Sequence, residues 1–227
     1  SQASIDKAFV GVCGHSEGGL ISAIVASARK DLAFAISLAG PGQSGSDIGK
    51  FQAAAFAKNR RSREYAFAIH ELLGTEPDYH RRNALARRLI TKHFKWYDFR
   101  NKRTAVKFLP ISVSNWQYEV FRMNPGVYWE AVTCPVLAIC GEHDRQVLAD
   151  GNLGAIRDAL ARGGNPDFEI EKIPKANHLF QVTAANKSGD YKSLLKEYAS
   201  CRETFSTRVL ERIQSFILNR YRKKRVP

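Results

Sequence analysis

A serine with glycines two residues to either side is the first place where this sequence could do covalent chemistry. Gly14-His15-Ser16-Glu17-Gly18 has G-x-S-x-G spacing. In that pattern a sharp strand-to-helix turn lifts the serine hydroxyl clear of the surrounding backbone. Both glycines read as positions where a side chain would collide with neighbouring backbone. A hydroxyl attacks only when a base takes its proton, and the base needs a carboxylate to orient it. Asp144, closing Gly141-Glu-His-Asp144, and His178, in Asn177-His178, follow Ser16 in the order serine, acid, histidine. Taken singly, each has a plainer reading: a glycine-rich turn, a turn-capping aspartate, a histidine in a solvent loop. Together, in that order, they suit acyl transfer. His15 lies inside the turn and is expected to point away from its neighbour's hydroxyl. Glu142 and His143 are expected to point elsewhere than Asp144, and His70, His80 and His93 read as surface or structural residues.

Elements of the right kind surround these residues. Ala8–Cys13, Leu32–Leu38 and Pro135–Cys140 are apolar runs that predict buried strands, and Phe168–Ile173 alternates as an outer strand does. Leu20–Ala28, Asn152–Arg162 and Thr207–Tyr221 predict helices. Gly163-Gly164 caps the second of these, and Val209, Ile213, Phe216 and Ile217 share one face of the third. Strand, helix and strand with short links imply a parallel sheet covered on both faces. Ser16, Asp144 and His178 would then all emerge at its carboxyl edge. Between the strand pairs, residues 47–108 predict amphipathic helices near 48–59, 62–73, 78–94 and 101–108, followed by one more over 114–122.

Gly14-His-Ser-Glu-Gly-Gly19, Cys134-Pro-Val-Leu-Ala-Ile-Cys-Gly-Glu-His-Asp144 and Asn177-His-Leu-Phe-Gln181 resemble the α/β-hydrolase superfamily, on its esterase and serine-peptidase-like branch. The resemblance covers residues 5–42 and 115–220. It implies an α/β fold: the C-terminal half of a mostly parallel sheet with flanking helices. Residues 1–46 and 109–227 would form this partial core, and 47–108 a helical cap. It implies Ser16 as nucleophile, Asp144 as acid and His178 as base, with the Glu17 N–H in the oxyanion hole. The implied activity is carboxylic ester hydrolysis. A thioesterase, a peptidase or a non-catalytic truncated module on the same residues stays open. No cofactor or metal is implied. The family's earlier strands and second oxyanion donor have no counterpart here, so a longer parent or a partner chain is expected to supply them. Without it, the strand before Ser16 would expose an apolar edge.

A 44% hydrophobic content is enough for a buried core, and no apolar run reaches a bilayer's span. Met123 is the only methionine and the chain starts at Ser1, which reads as a cut, processed or fragmentary end, so that any signal peptide would lie upstream. Cys13 and Cys140 each end an apolar run and are expected to be buried thiols, and the four cysteines are expected to stay reduced. A metal site at Cys134, Cys140 and His143 lacks any standard spacing. The net charge of +13 is segmental, with 14 Lys/Arg against 5 Asp/Glu over residues 58–107 and a basic cluster from Arg220 to Arg225. We read it chiefly as solvated helix faces. The expected partner is a small ester or acyl substrate, with Trp96, Tyr97, Phe99, Trp116 and Tyr118 walling its pocket. Nucleic acid is not expected, because base-reading motifs are missing.

Overall fold

The computed structural model describes residues 6–95, 98–183, 191–200 and 205–225. It divides into two compact units. One comprises Ser1–Gln43, Asn124–Lys187 and Glu197–Pro227; the other comprises Ser44–Met123 and Ser188–Lys196.

Four strands build the first unit: β1 (Val12–His15), β2 (Ala35–Leu38), β3 (Val136–Gly141) and β4 (Phe168–Ile173). They pair in parallel in chain order, with Val12 opposite Ala35, Ala35 opposite Val136 and Val136 opposite Phe168. Parallel neighbours need crossovers. Helix α1 (Glu17–Ala28) links β1 to β2, and α8 (Ala149–Arg162) links β3 to β4. The two central strands are buried at every position. Their apolar runs are explained by burial on both faces. A core of Phe34, Ile36, Leu137, Ile139, Ile156, Leu160 and Phe216 surrounds them. Short α7 (Pro125–Glu130), not foreseen in the sequence, starts on an Asn124 cap with proline at its first position and packs against α1 and α8. It also buries Trp129 in the core.

The strand before Ser16 is not the buried strand expected over Ala8–Cys13. β1 alternates between half-buried and exposed, and Cys13 is exposed. Among the described residues β1 has β2 as its one sheet neighbour, so an apolar run here does not signal double-sided cover. β4, at the other edge, is half-buried as an outer strand should be. Helix α10 (Thr207–Arg225) reaches it through Arg208, Arg212 and Arg220, which pair with Glu171, Glu169 and Asp167. Val209 and Phe216 of α10 are buried, with Ile213 and Ile217 packed beside them.

The second unit is helical: α2 (Gly45–Phe56), α3 (Arg60–Thr75), α4 (Tyr79–His93), α5 (Phe99–Ser112) and α6 (Asn115–Arg122). Side chains of Ser44, Asn59, Asp78 and Ser114 cap α2, α3, α4 and α6 by accepting from backbone N–H groups of the first turn. The unit is wider than the expected 47–108, because Leu109, Val113 and Phe121 join Ile69, Leu73, Ala86, Ile90 and Phe94 in its core. Arg82 is fully buried there. Its guanidinium donates to the carbonyls of Val113, Glu76 and Pro77 and to Asn115 Oδ1, at 2.6–2.9 Å. One of the arginines expected on a solvated face is therefore a core post. Helix α9 (Tyr191–Ser200), also unforeseen, spans the boundary between the two units in sequence. Among the described residues no helix is long and apolar enough to cross a membrane.

Candidate active site

β1 ends at His15 and α1 begins at Glu17, so Ser16 alone makes the turn. It does so at φ 57°, ψ −120°, a left-handed conformation that costs an L-residue on the order of 1–3 kcal/mol. Two backbone bonds hold it there: Ser16 N–H donates to Leu38 O at 2.8 Å, and Ser16 O accepts from Gly19 N–H at 2.8 Å. Gly14 is sterically required. A Cβ there would lie 1.9 Å from Gly18 O and 2.7 Å from Ser22 Oγ. Gly18 is not, because a Cβ at that position meets nothing within 4 Å. The second obligatory glycine is Gly19, whose Cβ would fall 2.7 Å from Gly40 Cα and from Ser37 Oγ. Side chains are thus excluded at two places: within the turn, where Gly14 meets Gly18, and between α1 and the end of β2, where Gly19 meets Gly40.

Asp144 lies in the turn after β3. Its Oδ1 accepts from the N–H groups of Gln146 and Val147 at 2.8 and 2.9 Å, which leaves Oδ2 to face His178. Cys140 Sγ lies 3.5 Å from Oδ2 and 3.3 Å from Val147 O. Burial, and then the Asp144 charge, push the Cys140 thiol far above its ordinary value, so it is an inert neighbour. His178 sits in the loop after β4, with Nδ1 2.7 Å from Asp144 Oδ2 and Nε2 3.0 Å from Ser16 Oγ. With the carboxylate fixing the proton on Nδ1, Nε2 is left to accept from the serine hydroxyl. Asp144 and His178 are both buried.

The histidine loop is held by groups the sequence did not single out. Asn177 Oδ1 accepts from the N–H groups of Leu179 and Gln181, and its amide donates to Gln181 Oε1. Glu197 lies 3.4 Å from the same amide and 3.7 Å from buried Arg145, next to Asp144. Phe180 is fully buried at φ 57°. Gly141 lets the loop approach β3: a Cβ there would lie 2.2 Å from Ala176 O. His15, expected to play no part, places Nε2 2.8 Å from the His178 carbonyl and its ring 4.8 Å from the His178 ring. Loss of hydration lowers its pKa although part of the ring meets solvent, and the His178 ring lowers it further. The bond to the His178 carbonyl and the Asp144 charge oppose this. The remaining neighbours turn away. Glu142 accepts from Lys175 N–H, and His143 bonds Thr183 Oγ1.

Of the aromatic residues expected to wall a pocket, Trp96 and Tyr97 lie outside the described residues. Tyr118 belongs to the helical unit's own packing, with the guanidinium groups of Arg82 and Arg122 at 4.7 and 5.1 Å from its ring. Phe99 and Trp116 are exposed.

No protein-family model matches the sequence, and no curated protein does. Among solved structures the chain is similar to the acylaminoacyl peptidase of Pyrococcus horikoshii (15% identity, TM-score 0.40), covering 76% of this chain and 20% of that one. It is similar to the Pyrococcus furiosus esterase Pf2001 (16%, TM-score 0.41), over 74% of this chain and 44% of that one. A third is a carboxylesterase structure from Nitrososphaera gargenis (15%, TM-score 0.44), over 93% and 65%. The chain thus spans less than two thirds of each. Its own topology is a parallel sheet with a strand–Ser16–helix turn, followed in chain order by Asp144 after β3 and His178 after β4. A parallel sheet with helical crossovers is the α/β fold that the sequence led us to expect.

Proposed function

We propose that the protein is a serine hydrolase that cleaves a carboxylic ester through an acyl-enzyme. The observation that carries this is the continuous chain from Ser16 Oγ through both ring nitrogens of His178 to Asp144 Oδ2, at 3.0 and 2.7 Å. The strained backbone at Ser16 supports it, because such strain persists only where the surroundings over-determine it.

In this reading Ser16 Oγ attacks the ester carbonyl while His178 Nε2 takes its proton. Asp144 holds the ring and stabilises the imidazolium. The oxyanion forms at the N-terminus of α1, where the Glu17 N–H and the helix dipole favour negative charge. The carbon–oxygen bond to the alcohol then breaks, and the alcohol leaves with the proton from Nε2. Water gives a proton to Nε2 and attacks the acyl carbon, and Ser16 departs with that proton restored. The acid product carries the new oxygen.

A fluorophosphonate probe tests the proposal directly. The expected result is one adduct per chain, mapped to Ser16 and lost in His178→Ala. An unlabelled chain, or an adduct on another residue, would overturn it.

A further inference from the structure

The outer side of α5 has a composition that neither its own packing nor acyl chemistry uses. The helix meets its unit along one stripe, where Leu109 is buried and Asn101, Ala105 and Ser112 are half-buried. On the opposite side Phe99, Val106 and Ile111 are 64%, 46% and 63% exposed. Arg100, Arg103 and Lys107, exposed as well, lie between Phe99 and Val106 on one flank and Ile111 on the other. At about 100° per residue these six fall on one continuous arc. No Asp or Glu occurs within α5. Among the described residues Arg100, Arg103 and Lys107 form no ion pair; the nearby carboxylate of Asp98 faces Arg61.

We propose that this arc docks the protein peripherally on an anionic membrane surface. Phe99, Val106 and Ile111 enter the headgroup boundary, and Arg100, Arg103 and Lys107 pair with lipid phosphates. Apolar burial and Coulomb attraction act together at such a boundary, where the flanking apolar side chains enter and the cations between them reach the phosphates. A nucleic acid would satisfy the cations but leave the three apolar side chains in water. The inference does not depend on the acyl chemistry, since none of these residues belongs to the site.

Vesicle co-sedimentation of the protein tests it, with phosphatidylcholine alone and with about one-third phosphatidylglycerol, at about 0.15 M salt. Binding to the anionic vesicles should be at least ~10-fold stronger than to the neutral ones. Phe99→Ser with Ile111→Ser should weaken it about fivefold or more, and Arg100→Gln with Arg103→Gln about tenfold. Arg87→Gln with Arg88→Gln, on α4, should leave it within about twofold. All these side chains are exposed, and far-UV dichroism checks that each variant folds. Three results overturn the proposal: equal binding to both vesicles, undiminished binding by the Phe99/Ile111 variant, or an equal loss in the α4 variant. A fourth is tighter binding of a random oligonucleotide than of anionic vesicles, lost in the Arg100/Arg103 variant and kept in the Phe99/Ile111 variant. That pattern would assign the arc to nucleic acid.

Discussion

In the sheet unit the buried polar side chains around Ser16 pair with one another: Asp144 with His178, Asn177 with Gln181, Arg145 with Glu197. In the helical unit the fully buried charge, Arg82, bonds mainly to backbone carbonyls where helices end and turn. The first arrangement fixes side-chain geometry to tenths of an ångström, as chemistry demands. The second fixes only the path of the chain. Close backbone approach is common to both: Gly14, Gly19 and Gly141 in the sheet unit and Gly45 in the helical unit have no room for a methyl group, and the helical unit adds side-chain caps and a modest apolar core.

The largest effect expected from this contrast is on rate alone. Ser16→Ala should lower p-nitrophenyl ester turnover by roughly 10⁴-fold or more while leaving the melting temperature within a few degrees. Retained activity would place the chemistry elsewhere. Next comes a pair inside the G-x-S-x-G turn. Gly14→Ala should cost more than about 3 kcal/mol and most of the activity, because its methyl meets a backbone oxygen. Gly18→Ala should stay within about tenfold of wild type in rate and about 1 kcal/mol in stability. Equal effects of the two would show that the space around the turn has been misread.

A smaller change should separate the two units. Arg82→Met leaves several carbonyl acceptors in the helical core unpaired and should destabilise that unit by about 2–4 kcal/mol. Hydrogen exchange should then accelerate over α3, α4 and α6 while β2 and β3 keep their protection. Uniform acceleration would mean the units unfold together. The smallest effect concerns α10 on β4. Burial raises the pKa of Glu169, but Arg212 and Arg220 outweigh it and hold the carboxyl below its usual range. A depressed carboxylate adds stability above its unfolded pKa of about 4.3 and loses it as pH falls through the folded value. Arg212→Ala should therefore cost at most about 1 kcal/mol at pH 7, and the gap should close below about pH 4. A gap that persists in acid would assign the loss to packing of the arginine stem.

How much of this was legible in the sequence follows the same division. Ser16, Asp144 and His178 could be placed side by side because each follows an apolar run or alternating strand, and parallel strands bring those ends to one edge. The central strands were plain for the same reason. Cys13 misled because an apolar run says nothing about whether a neighbour covers it. The close approaches of Gly19 to Gly40 and of Gly141 to Ala176 were hidden, since neither partner is near in sequence. Arg82 was hidden because carbonyl acceptors have no residue signature. His15 was set aside for its direction relative to Ser16, and its bond goes instead to the backbone of the other loop. Helix α7 is six residues long, too short for a 3.6-residue period to declare itself.

The hydrogen bond from Gly45 N–H to Met123 O, 3.1 Å long, bears on how the chain finds its fold. The central β2–β3 ladder joins Ala35 to Val136, a closure over about 100 residues in which non-local pairing is slow. Most contacts within the helical unit are between consecutive helices, with α6 closing it against α2 and α3, so it can form early, and when it does this bond brings its two ends together. The effective loop then shrinks to about 20 residues, lowering the entropic barrier to pairing by about 1 kcal/mol. The helical unit would thus act as a clasp during folding, with refolding of the β2–β3 ladder slowing severalfold when the helices are kept from closing first.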